Sequence, residues 1–227
     1  MTAWEGSSDE PGVHLARLPP GRHGLPREFV TRNQRDRLAA GTIAVVAERG
    51  LNETTITLIC AAAGVSRRTF YAYFSSKDEC YMAAYETVIE HLRIAAEDAS
   101  GGEREWAVLV RLKLRATLEF LAANPDLARF LLVAPQRAGG EVASHYRSTL
   151  DGAVAYLCEG RPAGGRQRAP SDAVAASLIG GIVALIVRKV EAGEGEKLPD
   201  LLADLVELFL TPYVGRDDAV RVARSGL

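Results

Sequence analysis

Between Thr54 and Phe74 the chain reads TTITLICAAAGVSRRTFYAYF, two short helical segments on either side of a three-residue turn. ITLICAAA forms the first, with Thr54 and Thr55 ahead of it as hydroxyl caps. Gly64 ends it and supplies the tight backbone of the turn, Val65 plugs the small core between the helices, and Ser66 caps a second helix near 67–74. Two helices joined this closely are a helix-turn-helix, and they constrain the neighbouring segments to pack around them.

The flanking sequence supplies those neighbours. Leu38, Ile43, Val46 and Ala47 share one helical face, which predicts a helix near 32–49 stopped by Gly50. Ser76 and Glu79 form a capping-box pattern opening a helix that runs to about residue 98. Five further helical stretches follow, separated by Asn124-Pro125, Pro135 with Gly139-Gly140, the loop RPAGGRQRAP, and Pro199. No stretch shows strand alternation, so the expected fold is all-α with about nine helices. The expected organisation is a flexible basic arm (1–25), a helix-turn-helix domain (26–76), a larger helical domain (77–214), to which the family resemblance given below assigns ligand binding and dimerisation, and a C-terminal tail (215–227).

Charge is segregated along the chain. Residues 22–77 hold nine Lys or Arg against four Asp or Glu, a net of +5 that leaves −7 for the remainder of a chain of formal charge −2. A basic N-terminal third on an acidic body predicts one nucleic-acid surface. In a helix-turn-helix the N-terminal residues of the second helix lie nearest the base edges. Here these are Arg67, Arg68 and Thr69, and Arg is the side chain best suited to bidentate contact with guanine. Tyr71 and Tyr73 are expected to present their phenols to phosphate, with Thr55 and Ser66 at the helix starts. Lys77, in the first turn of the fourth helix, sits where a macrodipole disfavours a cation unless a phosphate is there to receive it. Arg22 and Arg27, in the basic stretch PPGRHGLPREF, are candidates for an adjacent minor groove.

Other classes find little support. Cys60, Cys80 and Cys158 are scattered without CxxC spacing, which points to a reducing compartment and no disulfide framework. The N-terminus has no apolar h-region, and the run SLIGGIVALIV is shorter than the roughly 20 residues a span needs, so a cytoplasmic protein with no membrane partner is expected. There is no GxSxG, HExxH, P-loop or GxGxxG, so neither catalysis nor a cofactor or metal is expected. The remaining alternatives are a helical small-molecule carrier with a vestigial DNA module and a redox sensor using Cys60 or Cys80.

The stretch TIAVVAERG…TTITLICAAAGVSRRTFYAYFSSKDECYMAAY resembles the DNA-binding module of the TetR family of bacterial transcriptional regulators. Gly64-Val65-Ser66, Thr69, Tyr71, Tyr73, Phe74 and Lys77-Asp78 carry the likeness. Arg68, where a small residue is common, and Ala72, where a bulkier polar one is frequent, depart from that pattern. The resemblance implies a homodimer on a palindromic double-stranded DNA operator, a repressor more often than an activator, released by a small-molecule inducer bound in the larger domain. Trp106, Phe120, Phe130, Tyr146 and Tyr156 are the pocket candidates. The last two helices are implied to pair with a second subunit. Residues Gly180, Gly181, Ile182, Leu202, Leu205 and Phe209 are the interface candidates, because an all-round apolar helix predicts burial and mid-helix glycines permit close approach.

Overall fold

The computed structural model describes residues 27–159, 161 and 170–225, with side chains from Asn33 onward. Among these, every regular element is helical: α1 (Arg27–Arg49), α2 (Ile56–Ala63), α3 (Arg67–Tyr71), α4 (Lys77–Ser100), α5 (Trp106–Ala123), α6 (Pro125–Ala128), α7 (Gly140–Cys158), α8 (Asp172–Glu191), α9 (Leu202–Val214) and α10 (Arg216–Arg224). A π-helical turn (Arg129–Val133) and a 3-10 turn (Ala134–Arg137) join α6 towards α7, and a 3-10 segment (Gly195–Leu201) precedes α9.

The caps read from sequence form as hydrogen bonds. Thr55 Oγ1 accepts from the Leu58 amide, Ser66 Oγ from Thr69 and Ser76 Oγ from Glu79. Gly64 takes a left-handed conformation, φ 61°, while its amide and that of Val65 return to the carbonyls of Ala61 and Cys60. The π turn has a chemical cause one turn ahead. Pro135 has no amide to give the Leu131 carbonyl, and its ring crowds that carbonyl, so the helix widens before it.

Three boundaries differ from the sequence expectation. α1 starts at Arg27 rather than near residue 32. That places Arg27 inside a helix rather than in an arm; Arg22 lies outside the described residues. α3 is shorter than expected, Arg67–Tyr71. The C-terminal tail contains a tenth helix, α10, whose Ala219, Val222 and Ala223 are buried against α9 and α5.

The apolar run at 177–187 also extends further than its composition suggested. As α8 it is 20 residues, long and apolar enough to cross a membrane by length and composition, with 33% of its most apolar window buried inside the chain. The buried side of α8 (Ala175, Ile179, Ile182, Ile186 and Val190) packs into the chain's own core.

Two cores are built. The small one joins Leu38 of α1, Ile59, Cys60 and Ala63 of α2, Phe70 and Phe74 around α3, and Cys80 of α4. The large one gathers α4, α5, the π turn and α7 to α10, and it also takes Val46 and Leu51 from the DNA-proximal end. Gly41 fixes how closely α1 and α2 approach. A Cβ there would lie 2.9 Å from the Ala63 backbone nitrogen and 3.1 Å from the Ile59 carbonyl. Gly41→Ala therefore forces two backbones apart despite its better helix propensity. We expect a loss of about 1–3 kcal/mol, read as a lower thermal midpoint of the intact chain by circular dichroism.

Candidate nucleic-acid interface and ligand cavity

α3 presents its N-terminal side chains outward because its opposite face is pinned. Phe70 is fully buried and sits edge-on to Tyr71 at 5.6 Å and near Phe74 at 5.9 Å. The turn before α3 is braced from α1, where Arg37 Nη2 donates to the Gly64 carbonyl at 2.7 Å. On this mount Arg67 and Arg68 are exposed, and neither has an ion pair or hydrogen bond among the described residues. Tyr71 is 52% exposed, its phenol available. Ser66 and Thr69 exchange a hydroxyl hydrogen bond of 2.9 Å, so their first role is to cap α3. Thr55 is exposed at the start of α2. Thr57, one short step further and also exposed, was passed over in the sequence because nothing in its spacing distinguishes it.

Two of the expected phosphate contacts are committed elsewhere. Lys77 Nζ donates to the carbonyls of Leu51 at 2.8 Å and Thr54 at 3.0 Å, closing the α1–α2 connection over the start of α4. These two carbonyls give a cation at this helix start partners within the chain itself. Tyr73 is half-buried, and its hydroxyl donates to Gln34 Oε1 at 3.0 Å. Neither cysteine of the module is poised for redox chemistry. Burial pushes the Cys80 thiol up to about 11 despite its 3.2 Å contact with Thr42 Oγ1, and burial raises Cys60 as well.

The pocket lies between α4, α5, the π turn, α7 and α8, with a volume of about 420 Å³. Its walls are aliphatic: Ile89, Leu92, Leu114, Leu118, Leu121, Leu131, Leu132, Ile179 and Ile182. Of the five aromatic candidates only Tyr156 lines it. Trp106 donates its indole N–H to the Leu157 carbonyl at 2.9 Å and packs edge-on to Tyr213. Phe130 is fully buried 4.6 Å from Tyr81, whose hydroxyl donates to the Phe130 carbonyl at 2.8 Å. Tyr146 is buried in the large core, and Phe120 lines a separate groove against α1 and α4. The residue that sequence reading missed is Lys113, a buried cation in the cavity wall.

Residues 38–84 match the family model for bacterial regulatory proteins of the tetR family. This segment, from α1 to the first turns of α4, is a tetR-family DNA-binding module. Among curated relatives, the uncharacterized HTH-type transcriptional regulator YvdT of Bacillus subtilis is 31% identical over 86 residues, covering 37% of this chain and 43% of that one. The nucleoid occlusion factor SlmA of Pasteurella multocida is 31% identical over 84 residues, covering 37% and 42%. The chain thus spans less than half the length of the curated relatives it matches.

Solved structures extend the likeness in fold beyond the module. The fatty acid degradation regulator FadR of Bacillus halodurans superposes with a TM-score of 0.69 at 18% identity, covering 79% of this chain and 96% of that one. FadR of Bacillus subtilis, solved with stearoyl-CoA, gives 0.60 at 19% identity, covering 79% and 98%. FadR of Thermus thermophilus, solved with lauroyl-CoA, gives 0.60 at 22%, covering 79% and 95%.

Within this TetR-family fold the six interface candidates divide. Ile182 is 4% exposed and Leu205 and Phe209 are fully buried inside the subunit, so they are core residues. Their helices present an apolar stripe to both sides, and the sequence alone does not say which side the chain itself fills. Leu202 is half-buried, while Gly180 and Gly181 are exposed with nothing within 4 Å of an added Cβ.

The clamp made by Lys77 is separable from a phosphate contact. Lys77→Met should lower stability by about 1–3 kcal/mol, chiefly through the Thr54 carbonyl left without its donor, since the Leu51 carbonyl keeps the Thr54 amide. It should leave the salt dependence of DNA binding unchanged, whereas loss of a phosphate contact would reduce that slope by about 1. Thermal melts and binding titrations at several salt concentrations give both quantities.

Proposed function

We propose that this chain is a homodimeric repressor that binds a palindromic operator through α3 and releases it when a small apolar ligand fills the cavity, acting in the cytoplasm where the DNA is. The observation that carries the reading is the pair Arg67 and Arg68, exposed and uncommitted at the start of a helix whose other side is buried. One five-residue helix reads few base pairs. A two-fold pair reads a palindrome and doubles the phosphate contacts. The stearoyl-CoA and lauroyl-CoA named with the two FadR structures, together with the aliphatic walls here, favour a ligand with a hydrocarbon body.

The surface of α8 supports the pairing. Ala173, Ser177, Gly180, Gly181 and Ala184 form an exposed stripe of small residues, flanked by Val174 at 42% exposure and by Leu208 of α9 at 40%. A glycine inside a helix costs about 1 kcal/mol relative to alanine, and inside the subunit nothing requires either one. Close approach by the same helices of a second copy gives both glycines a purpose.

Release runs through α4. Its 24 residues make a rod of about 36 Å. One end is clamped to the DNA module by Lys77 and Cys80, and the other lines the cavity with Ile89, Leu92 and Ala96. A ligand that prefers a wider cavity shifts the population towards a tilted α4 and moves the two α3 helices out of register.

Fluorescence anisotropy on the DNA just upstream of the gene, with scrambled competitor, tests the DNA half. Arg67→Ala and Arg68→Ala should each cost about 1–3 kcal/mol of specific affinity while preserving the melting temperature. Specific binding that survives both changes would exclude α3 as the reader. Light scattering tests the dimer: Gly180→Leu with Gly181→Leu should give a monomer, and a dimer unchanged by the pair would place the interface elsewhere.

A further inference from the structure

We propose that the cavity ligand is a monoanionic amphiphile, a free carboxylate on a hydrocarbon body, whose head is received by Lys113; this rests on the reading of the cavity as the effector site. Lys113 is 9% exposed on the inward side of α5. Its ammonium makes one hydrogen bond, to the Tyr156 carbonyl at 3.1 Å, and lies 3.7 Å from the centre of the Tyr156 ring. An ammonium has three donors, so two are unspent. The Tyr156 hydroxyl, on the same wall, is buried with no partner among the described residues.

The other polar groups of the lining do not satisfy them. Thr117 and Thr149 donate their hydroxyls to carbonyls on their own helices, those of Lys113 and His145, and the Tyr85 hydroxyl, also in the lining, bonds to the Thr149 side chain. Arg93, at the rim, is held by Glu90 and Glu97. No Asp or Glu belongs to the lining among the described residues. Glu159 and Glu97 lie near enough to act on the Lys113 charge, yet neither forms an ion pair with it, and burial outweighs them in lowering its pKa. The wall therefore offers donors and a positive charge, and its open hydrogen-bonding capacity is for an acceptor.

The apolar part of the site sets the rest of the class. From Lys113 to Leu121, eight residues of α5, the cavity runs for about 12 Å. Its far end is closed by Leu131 and Leu132 of the π turn. An unpaired buried charge is expensive, and replacing Lys113 by a hydrocarbon of similar length would relieve that cost within the empty cavity. A carboxylate at the ammonium converts the cost into a charge-assisted hydrogen bond. A thioester carbonyl is neutral and gains far less, which separates this site from one built for a coenzyme A thioester.

The test uses the intact chain and three probes sharing one hydrocarbon body, decanoate, decanol and decanoyl-CoA, titrated by isothermal calorimetry near neutral pH. Wild-type protein should bind decanoate at least tenfold more tightly than decanol. Lys113→Met should bind both equally, with its decanol affinity at the wild-type level, which also certifies that the variant is folded. Lys113→Arg should retain the preference for the acid. The proposal is overturned if Lys113→Met keeps that preference, if wild type does not distinguish acid from alcohol, if only decanoyl-CoA binds, or if no probe binds. Operator affinity measured with the same probes is a separate readout. Decanoate that binds through Lys113 without releasing DNA would refute the effector reading and leave the ligand class standing.

Discussion

Cys80 and Tyr81 are adjacent in sequence and belong to different cores. Cys80 is fully buried with Leu38, Ile59 and Phe70 beneath the recognition helix; Tyr81 is buried against Phe130 in the large core. α4 turns its side chains through about 100° per residue, so neighbouring positions point into two separate packings, and the helix becomes the shared wall of both. Lys77 fixes its first turn to the α1–α2 connection, while Val46 of α1 and Leu51 of that connection reach across into the large core. The boundary suggested by composition near residue 76 is crossed by a continuous helix and by apolar contacts on either side. A DNA module attached in this way has no independent orientation; α4 and α1 set it together.

The sequence made the helix-turn-helix legible because every determinant is local. Thr55, Gly64 and Ser66 act on residues within four positions of themselves, so their types and spacing were enough. The clamp made by Lys77 was not legible for the opposite reason: the carbonyls it holds are 26 and 23 residues upstream, and no periodicity reports such a pair. The same is true of Arg37 and Gly64. α10 was missed because RDDAVRVAR offers only Ala219, Val222 and Ala223 to a core, too few apolar positions to stand out among its charges. For the pocket, the aromatic residues were the natural candidates by size. Large rings, however, fill the space between helices, as Trp106 and Phe130 do, whereas the cavity lies where shorter aliphatic chains leave room. Lys113 reads in sequence as one more charge in RLKLR, and only the packing of α7 over α5 makes it buried.

The placement of the cavity gives the proposed coupling its physical basis. Protein interiors are close-packed and resist continuous deformation, so a change in cavity volume must be taken up by movement of whole elements. The candidates for movement are those with least regular packing or with a face free of the core. The π turn qualifies on the first count: it carries Leu131 and Leu132 into the cavity, and the 3-10 turn that follows it accepts a hydrogen bond from Asn52 at the Arg137 carbonyl, 3.3 Å, beside the Arg137–Glu191 ion pair. The cavity is thus joined to the DNA module along α4 and also through this second, shorter route to the α1–α2 connection.

Two routes constrain what a ligand has to do in the proposed regulation. Moving a balanced regulator from almost wholly competent to almost wholly released takes a difference of about 5.5 kcal/mol in ligand affinity between the two states. A hydrocarbon body held by aliphatic walls in both states provides little of that difference, since burial is non-directional and scales with area. The charged end can provide more. Whether the Lys113 ammonium meets its partner depends on the separation of α5 from α7, because its present hydrogen bond and ring contact both go to Tyr156. A ligand that draws Lys113 away from Tyr156 alters the packing of α7 against α4, at the same wall that α4 shares with the core beneath α3. In the proposed regulation the apolar surface supplies affinity, and the Lys113 charge supplies the distinction between states on which release would depend.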